Sequence, residues 1–269
     1  MQIKKLARSV RSTYRSLRKI SISNVSSSVK GDPSNLKLVG FVKCFNEGST
    51  GNLERCLRHL NAFCDEIVIC DDSSQDNSLE IARKYTSHII VMPDEFKQEL
   101  AHKQKLLELA LSLNPDWIVF LDPDEVFDRH GEEGGIRSLC QYGVEHGIDS
   151  FSFLYYNLWK GEENYRVDEL WNKNWQRKLW RNTGSLKFNV REGLHLSQFP
   201  TGLRNERRTD VKLVHYGFAG EDKVNKKFST YQSLGQSGWT LQRIRDEKTL
   251  KLKKFEKEWF PSTVLEGNG

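Results

Sequence analysis

No apolar run in this sequence of 269 residues approaches the roughly 20 residues needed to cross a bilayer, and its first residues hold no hydrophobic block followed by a small-residue cleavage site. The chain therefore reads as a globular, cytoplasmic protein. Cysteine is sparse: Cys44, Cys56, Cys64, Cys70 and Cys140 are odd in number and form no Cys-x-x-Cys pair, which argues against a disulfide framework or a thiolate metal site. Cys44 and Cys70 sit within apolar runs and read as buried, reduced thiols. Internal repeats are lacking. So is a Gly-rich phosphate loop after the first apolar run, which speaks against an enzyme that makes nucleotide sugars. Acidic residues are absent from positions 1–30, which carry eight Lys or Arg; taking those eight from 41 leaves 33 basic against 36 acidic residues in the remainder. The net charge of +5 thus belongs to one end of the chain, and the body is mildly acidic.

Within that basic end, Ile3, Leu6, Val10, Tyr14, Leu17 and Ile20 recur at spacings of three and four, one face of a helix whose other sides carry Lys4, Arg8, Arg11, Arg15 and Arg18. A basic amphipathic helix suits an anionic membrane surface, so residues 1–20 are the expected peripheral membrane contact, with a solvated tail as the alternative. Nucleic acid is not expected, because the folded body lacks a matching basic face. Ser21 to Ser28 and Gly31-Asp32-Pro33 read as a linker that closes an N-terminal extension over residues 1–35.

From residue 36 apolar runs alternate with helical patterns. Strands are expected at Leu38 to Phe45, Glu66 to Cys70, His88 to Met92 and Trp117 to Leu121, with helices near Asn52 to Phe63, Asp76 to Tyr85 and Lys97 to Leu113 between them. Such βα alternation predicts a mostly parallel sheet flanked by helices, with right-handed crossovers. Residues 36–130 form the first half of this α/β domain. A second half over residues 131–239 is expected to hold a helix near Glu132 to His146, strands at Ser150 to Leu158 and Thr209 to Tyr216, and an aromatic-rich stretch to Trp180. A charged helix is expected from Thr240 to Trp259, within a C-terminal segment over residues 240–269.

The residues that speak most about chemistry are Trp-Ile-Val-Phe-Leu-Asp-Pro-Asp-Glu at 117 to 125. A run of five apolar residues suits a strand buried on both faces, and Asp122, Asp124 and Glu125 fall at its C-terminal end, where open α/β sheets bind ligands. Carboxylates taken from water need a counter-charge, and a Mg²⁺ or Mn²⁺ ion shared with substrate phosphates is a common one; a solvated acidic turn is the alternative. Parallel pairing brings two more polar loops to that edge, Asn46-Glu47 and Asp71-Asp72-Ser73-Ser74-Gln75-Asp76. Three clusters at one edge make a site.

With Phe-Val-Lys-Cys-Phe-Asn-Glu at 41 to 47, Cys-Asp-Asp-Ser-Ser-Gln-Asp-Asn-Ser at 70 to 78, His-Lys-Gln at 102 to 104, the Asp-x-Asp strand end, Gln-Arg-Lys-Leu-Trp-Arg-Asn at 176 to 182 and Val-His-Tyr-Gly-Phe at 214 to 218, the sequence resembles a family 2 glycosyltransferase with the GT-A nucleotide-sugar fold. The resemblance spans about residues 38 to 235. It implies metal-dependent transfer of a sugar from a nucleotide-diphosphate donor to a hydroxyl acceptor, in glycan or polysaccharide synthesis and with inversion. By position, Asp72 with its neighbour Asp71 meets the nucleotide base, Phe41 and Asn46 complete that wall, and Asp122 lies near the ribose. Asp124 binds the cation, Lys103 contacts the diphosphate as a point charge, and His215 completes the metal or diphosphate site. Candidates for the base that deprotonates the acceptor are Glu192, Asp168 and Glu169. His195 stands where relatives often show His-Glu but is followed here by Leu196, which leaves the base unassigned. Tyr155, Tyr156, Trp159, Tyr165, Trp171, Trp175 and Trp180 could offer stacking faces to a sugar or pack the core.

Two other readings share part of the pattern. A phosphatase of the haloacid dehalogenase type also begins with a strand ending in Asp-x-Asp, as at Asp122, Asp124 and Val126, but wants its further acidic pair downstream rather than at 71 and 72. A non-catalytic glycan- or partner-binding protein of the same fold would need only the sheet edge.

Overall fold

Apolar runs that alternate with amphipathic helices build the first half of the fold as a parallel sheet. The structure, a computed structural model, describes residues 19–93, 98–168, 171–191, 197–233 and 239–265. The strands are β1 (Lys19–Ile20), β2 (Leu38–Cys44), β3 (Glu66–Asp71), β4 (Ile89–Val91), β5 (Trp117–Leu121), β6 (Glu125–Phe127), β7 (Ser150–Asn157), β8 (Asn164–Arg166), β9 (Trp175–Arg181), β10 (Glu206–His215) and β11 (Leu252–Lys254). The helices are α1 (Ile22–Ser28), α2 (Asn52–Asn61), α3 (Ser78–Tyr85), α4 (Glu99–Ser112), α5 (Ile136–His146), α6 (Glu221–Ser233), α7 (Trp239–Arg245) and α8 (Ser262–Leu265).

One large sheet runs in the order β1-β10-β7-β9-β5-β2-β3-β4, with β6 also paired to β10. Within it β9 runs antiparallel to both β5 and β7, and β6 antiparallel to β10; the other pairings are parallel. The sheet is therefore mostly parallel, as the alternation predicts, and the C-terminal ends of β2, β3, β5, β7 and β10 share one edge. β5 is apolar throughout because both its faces are covered: Trp117, Val119 and Leu121 pack with α2 and α5, and Ile118 and Phe120 with α4. β9 is the strand that periodicity hides. It lies in the aromatic-rich stretch, and a register shift opposite Phe151 and Ser152 breaks its alternation.

Two expectations give way to the structure. The serine-rich segment is not a linker but helix α1, preceded by β1. Ile22 and Val25, three apart, are buried against the core, the Ile22 N–H donates to Asp210 Oδ1 at 2.7 Å, and the hydroxyls of Ser27 and Ser28 donate back to the carbonyls of Asn24 and Val25. Serine here satisfies itself on the helix rather than opposing it. The charged helix expected from 240 to 259 stops at Arg245, because Asp246 accepts from the N–H groups of Lys248 and Thr249 and from the Thr249 hydroxyl and so turns the chain. Beyond that turn the chain forms β11, antiparallel to β8, with Phe255 and Phe260 buried beside it. A helix at Glu221–Ser233, which its low apolar content conceals, is present as α6.

The short α8 is held by one carboxylate. Glu132 accepts from the backbone N–H of Ser262 at 2.7 Å and of Thr263 at 3.2 Å, and from both hydroxyls, while His59 Nδ1 lies 3.4 Å away. Burial alone would raise the Glu132 carboxyl, but hydrogen bonds from His59, Ser262 and Thr263 outweigh it and hold it at about 2. A depressed folded-state value means stability present above the ordinary value near 4.5 and lost as pH falls toward about 2. Glu132→Gln is expected to lower the melting temperature at pH 7 and to flatten its decline over that acid window. An unchanged acid limb in thermal melts would show that this carboxylate does not hold the C-terminal segment.

Candidate functional site

Parallel pairing delivers the polar loops to one place. After β2 comes Asn46, in a left-handed conformation (φ 52°) that asparagine tolerates; its N–H donates to Ser74 Oγ at 2.9 Å and its side-chain oxygen accepts from the Gln75 N–H at 2.7 Å. The loops after β2 and β3 are thus fastened together. Asp71 Oδ1 accepts from the Ser74 N–H at 2.8 Å, which shapes that turn. Asp72 is 6% exposed. Its carboxylate pairs with Lys43 and lies 2.9 Å from His102 Nδ1, with Cys70 Sγ at 3.6 Å.

At the end of β5, Asp122 and Asp124 diverge into two charge clusters. In the first, Lys178 on β9 is 1% exposed at its side chain, and its ammonium donates to Asp122 Oδ2 and Glu125 Oε2, both at 2.8 Å. Burial would lower the lysine, but the two carboxylates outweigh it and raise it to about 12. Glu125 is pushed well up by burial, with Asp122 and Asp124 adding to the effect against the pull of Lys178. Burial would likewise raise Asp122, and Lys178 and Lys103 instead hold it below the ordinary range. Of the two carboxylates on Lys178, Asp122 is the one held low and Glu125 the one held high.

The second cluster surrounds Asp124. Asp124 Oδ2 lies 3.1 Å from His215 Nε2 and accepts from Lys227 Nζ at 3.0 Å, and Lys227 Nζ is 3.3 Å from the same imidazole nitrogen. On the other side of the ring, Nδ1 sits 2.7 Å from Asn157 Oδ1. An amide oxygen only accepts, so the proton is assigned to Nδ1, and Nε2 turns its lone pair toward Asp124. Burial lowers the His215 imidazole, consistent with the neutral ring. Burial would raise Asp124, but the Lys227 ammonium outweighs it and holds the carboxyl well below the usual range. Gly217 keeps this space clear: a Cβ there would come within 2.5 Å of Asp124 Oδ2 and 2.6 Å of His215 Nε2. Glu47, from the loop after β2, faces the cluster as well, its carboxyl raised by burial and then by Asp124.

Asp72, Asn46, Asp71, Asp122, Asp124 and His215 therefore occupy one sheet edge. Phe41 does not join them. It is 0% exposed in mid-strand, edge-on to Phe120 and Trp180 at centroid distances of 5.5 and 5.8 Å, because an aromatic ring at the centre of a covered strand serves the core. Lys103 is not a solvated helix residue; its ammonium is buried, donating to Glu99 Oε1 at 2.5 Å and Gln198 Oε1 at 2.7 Å. Asp168 is bound by Arg166 Nε at 2.6 Å and lines a cavity beside α7. Glu169, Glu192, His195 and the amphipathic segment before Lys19 lie outside the described residues. Lys227 and Asn157 carry no signal in the sequence, and Lys178 only its place in the Gln-Arg-Lys-Leu-Trp-Arg-Asn stretch, since each gains its partner only through the packing of α6, β7 and β9.

The model of the family described as glycosyl transferase family 2 matches residues 41–194. Among curated proteins, the SPbeta prophage-derived glycosyltransferase SunS of Bacillus subtilis (strain 168) is 20% identical over 185 residues, covering 68% of this chain and 40% of that protein. The chain thus spans about two-fifths of the length of the curated relatives it matches. Among solved structures, the mannosyltransferase PcManGT from Pyrobaculum calidifontis, in complex with GDP-Man and Mn²⁺, superposes with TM-score 0.47 at 13% identity, covering 85% of this chain and 72% of that one. TarS residues 1–349 from S. aureus superpose with TM-score 0.37 at 19% identity, over 54% and 47% of the two chains. No helix among the described residues is long and apolar enough to cross a membrane.

Proposed function

The chain belongs to glycosyl transferase family 2, as a glycosyltransferase of the GT-A fold, and on that basis we propose that it moves a sugar from a nucleotide-diphosphate donor to a hydroxyl on a glycan acceptor, with a divalent cation and with inversion. The observation that carries this reading is the Asp124–His215 pair. A carboxylate oxygen and an imidazole lone pair at 3.1 Å repel one another unless a cation lies against both, and here the Lys227 ammonium does. Oxygen and imidazole nitrogen suit Mn²⁺ or Mg²⁺, and the Asn157 contact behind His215 orients the ring as supporting contacts on metal-bound histidines do.

In this reading residues 36–130 hold the donor and residues 131–239 the acceptor. Asp72 and Asp71 accept hydrogens of the base and Asn46 fixes the loop beside it. Asp122 faces the ribose, and Asp124 with His215 holds the cation, which when bound offsets charge on the departing diphosphate. Lys227 is the protein's own cation beside that site, on the Asp124 oxygen that a metal ion would take when bound. Lys103 acts through the field it shares with Asp122. The acceptor proton passes to a carboxylate of the acceptor half, Glu192 or Glu169, because Asp168 is already neutralised by Arg166. The basic residues 1–20 bring the enzyme to an anionic membrane surface on the cytoplasmic side.

A panel of nucleotide sugars with Mn²⁺ tests the reading by donor hydrolysis and thermal shift. At least one donor is expected to release its nucleotide diphosphate and to raise the melting temperature. Cleavage of simple phosphate esters would replace the transferase with a phosphatase, and binding without turnover would leave a glycan- or partner-binding protein.

A further inference from the structure

Beside α7 a cavity of about 740 Å³ opens, and its charge is one-sided. Arg166, Arg243, Lys173, Lys248 and Lys251 line it against two carboxylates; Arg166 donates to Asp168 and to the carbonyls of Arg243 and Asp246, so Arg243 and the lysines carry the remaining charge, and both carboxylates are already in use. Asp168 is bound to Arg166 Nε at 2.6 Å. Asp246 accepts from the backbone of Lys248 and Thr249 and from the Thr249 hydroxyl. The guanidinium carbons of Arg166 and Arg243 lie 4.8 and 5.7 Å from the centre of the Trp171 ring, so two positive groups share one aromatic side chain. Burial and then the neighbouring Arg166 charge make Arg243 a weaker base than usual, the mark of cations crowded together.

The cavity adjoins the carboxylate edge through a run of aromatic rings. Arg166 lies 4.4 Å from the Trp159 ring, Trp159 stacks on Phe218 at 4.9 Å, and Phe218 meets the His215 ring edge-on at 5.5 Å. Trp171 itself meets Phe218 edge-on at 5.2 Å, so the cavity wall and the His215 ring share one aromatic cluster. We propose that this cavity binds the acceptor, and that the acceptor is a glycan bearing phosphate or carboxylate groups. The assignment rests on the transferase reading above. Arginine suits planar, two-pronged recognition of either anion, and the indole face suits the sugar's apolar side.

Calorimetric titration of the full chain with glucose 6-phosphate, glucuronate, glucose and inorganic phosphate tests it. Either anionic sugar is expected to bind at least tenfold more tightly than glucose and than phosphate alone, and to weaken as salt rises. The double substitution Arg243→Gln with Lys248→Gln is expected to cost the preferred sugar about tenfold in affinity; Lys251→Gln, at an exposed position, gives a second reading should the double variant fail to fold. Equal binding of glucose, equal binding of inorganic phosphate, or unchanged affinity in folded variants would overturn the assignment. Binding of UDP and GDP with Mn²⁺ to the unaltered chain is measured separately. Its absence would defeat the transferase reading while leaving an anionic-sugar cavity standing.

Discussion

Asp124→Asn is expected to abolish donor turnover and the metal-dependent part of nucleotide binding. The substitution keeps shape and a hydrogen-bond acceptor for Lys227 but removes the charge on which the proposed Asp124–His215 cation site depends. Metal stabilisation of a developing oxyanion is worth several kcal/mol, so kcat/KM should fall on the order of 10³-fold. Release of nucleotide diphosphate reports the first effect, and titration of UDP or GDP with and without Mn²⁺ reports the second. The two should fall together, since both depend on one carboxylate. Full activity in the variant, or nucleotide binding that still responds to Mn²⁺, would remove the cation from this pair. Loss of turnover with intact Mn²⁺-dependent binding would place the metal elsewhere on the edge.

Lys178→Met should be the most destabilising single change at the site. Methionine fits the volume along the Phe120 ring, which the ammonium meets at 4.1 Å, so the lost term is charge rather than packing. Glu125 is 0% exposed, and it and Asp122 share that ammonium. Removing one member of a buried ionic cluster commonly costs about 3–5 kcal/mol, a fall of roughly 10 °C in melting temperature for a chain of this size. The difference from the unaltered protein should shrink as pH falls and the carboxylates protonate. Asp122 has its folded value depressed by Lys178, so the stability it contributes is present above its ordinary value and disappears in acid. Paired thermal melts near neutrality and in mild acid measure both. A variant that melts within a degree or two of the parent at both pH values would mean that Lys178 does not neutralise the pair.

Much of the fold was legible because strands covered on both faces read as unbroken apolar runs, as at Leu38–Cys44 and Trp117–Leu121. The carboxylates were legible for a related reason: Asp72 and Asp122 follow such runs directly, Asp124 stands two positions further on, and parallel pairing leaves them only one edge to occupy. Their partners were not. Lys227 reaches Asp124 across 103 positions and Lys178 reaches Asp122 across 56, so each pairing exists only once the sheet order is fixed. Nothing in the alternation of β9 announces that Lys178 turns inward, since the register shift beside it is a property of two strands together. Phe41 was misread in the other direction. A family motif placed it at the ligand, whereas its mid-strand position placed it in the core. The serine-rich start misled because composition says nothing of where Ile22 and Val25 can seat.

The parallel contact of Lys19 and Ile20 with Arg208 and Thr209 has a practical side. Anyone trimming the chain to learn whether its positively charged leader docks on lipid must cut ahead of Lys19. A cut after Lys30 would also strip the outermost ribbon from the β10 border of the sheet and bare its hydrogen-bonding groups, inviting copies to stick together. Reduced vesicle recovery would then report clumping as readily as lost attraction, and the two shortened chains compared side by side tell these apart.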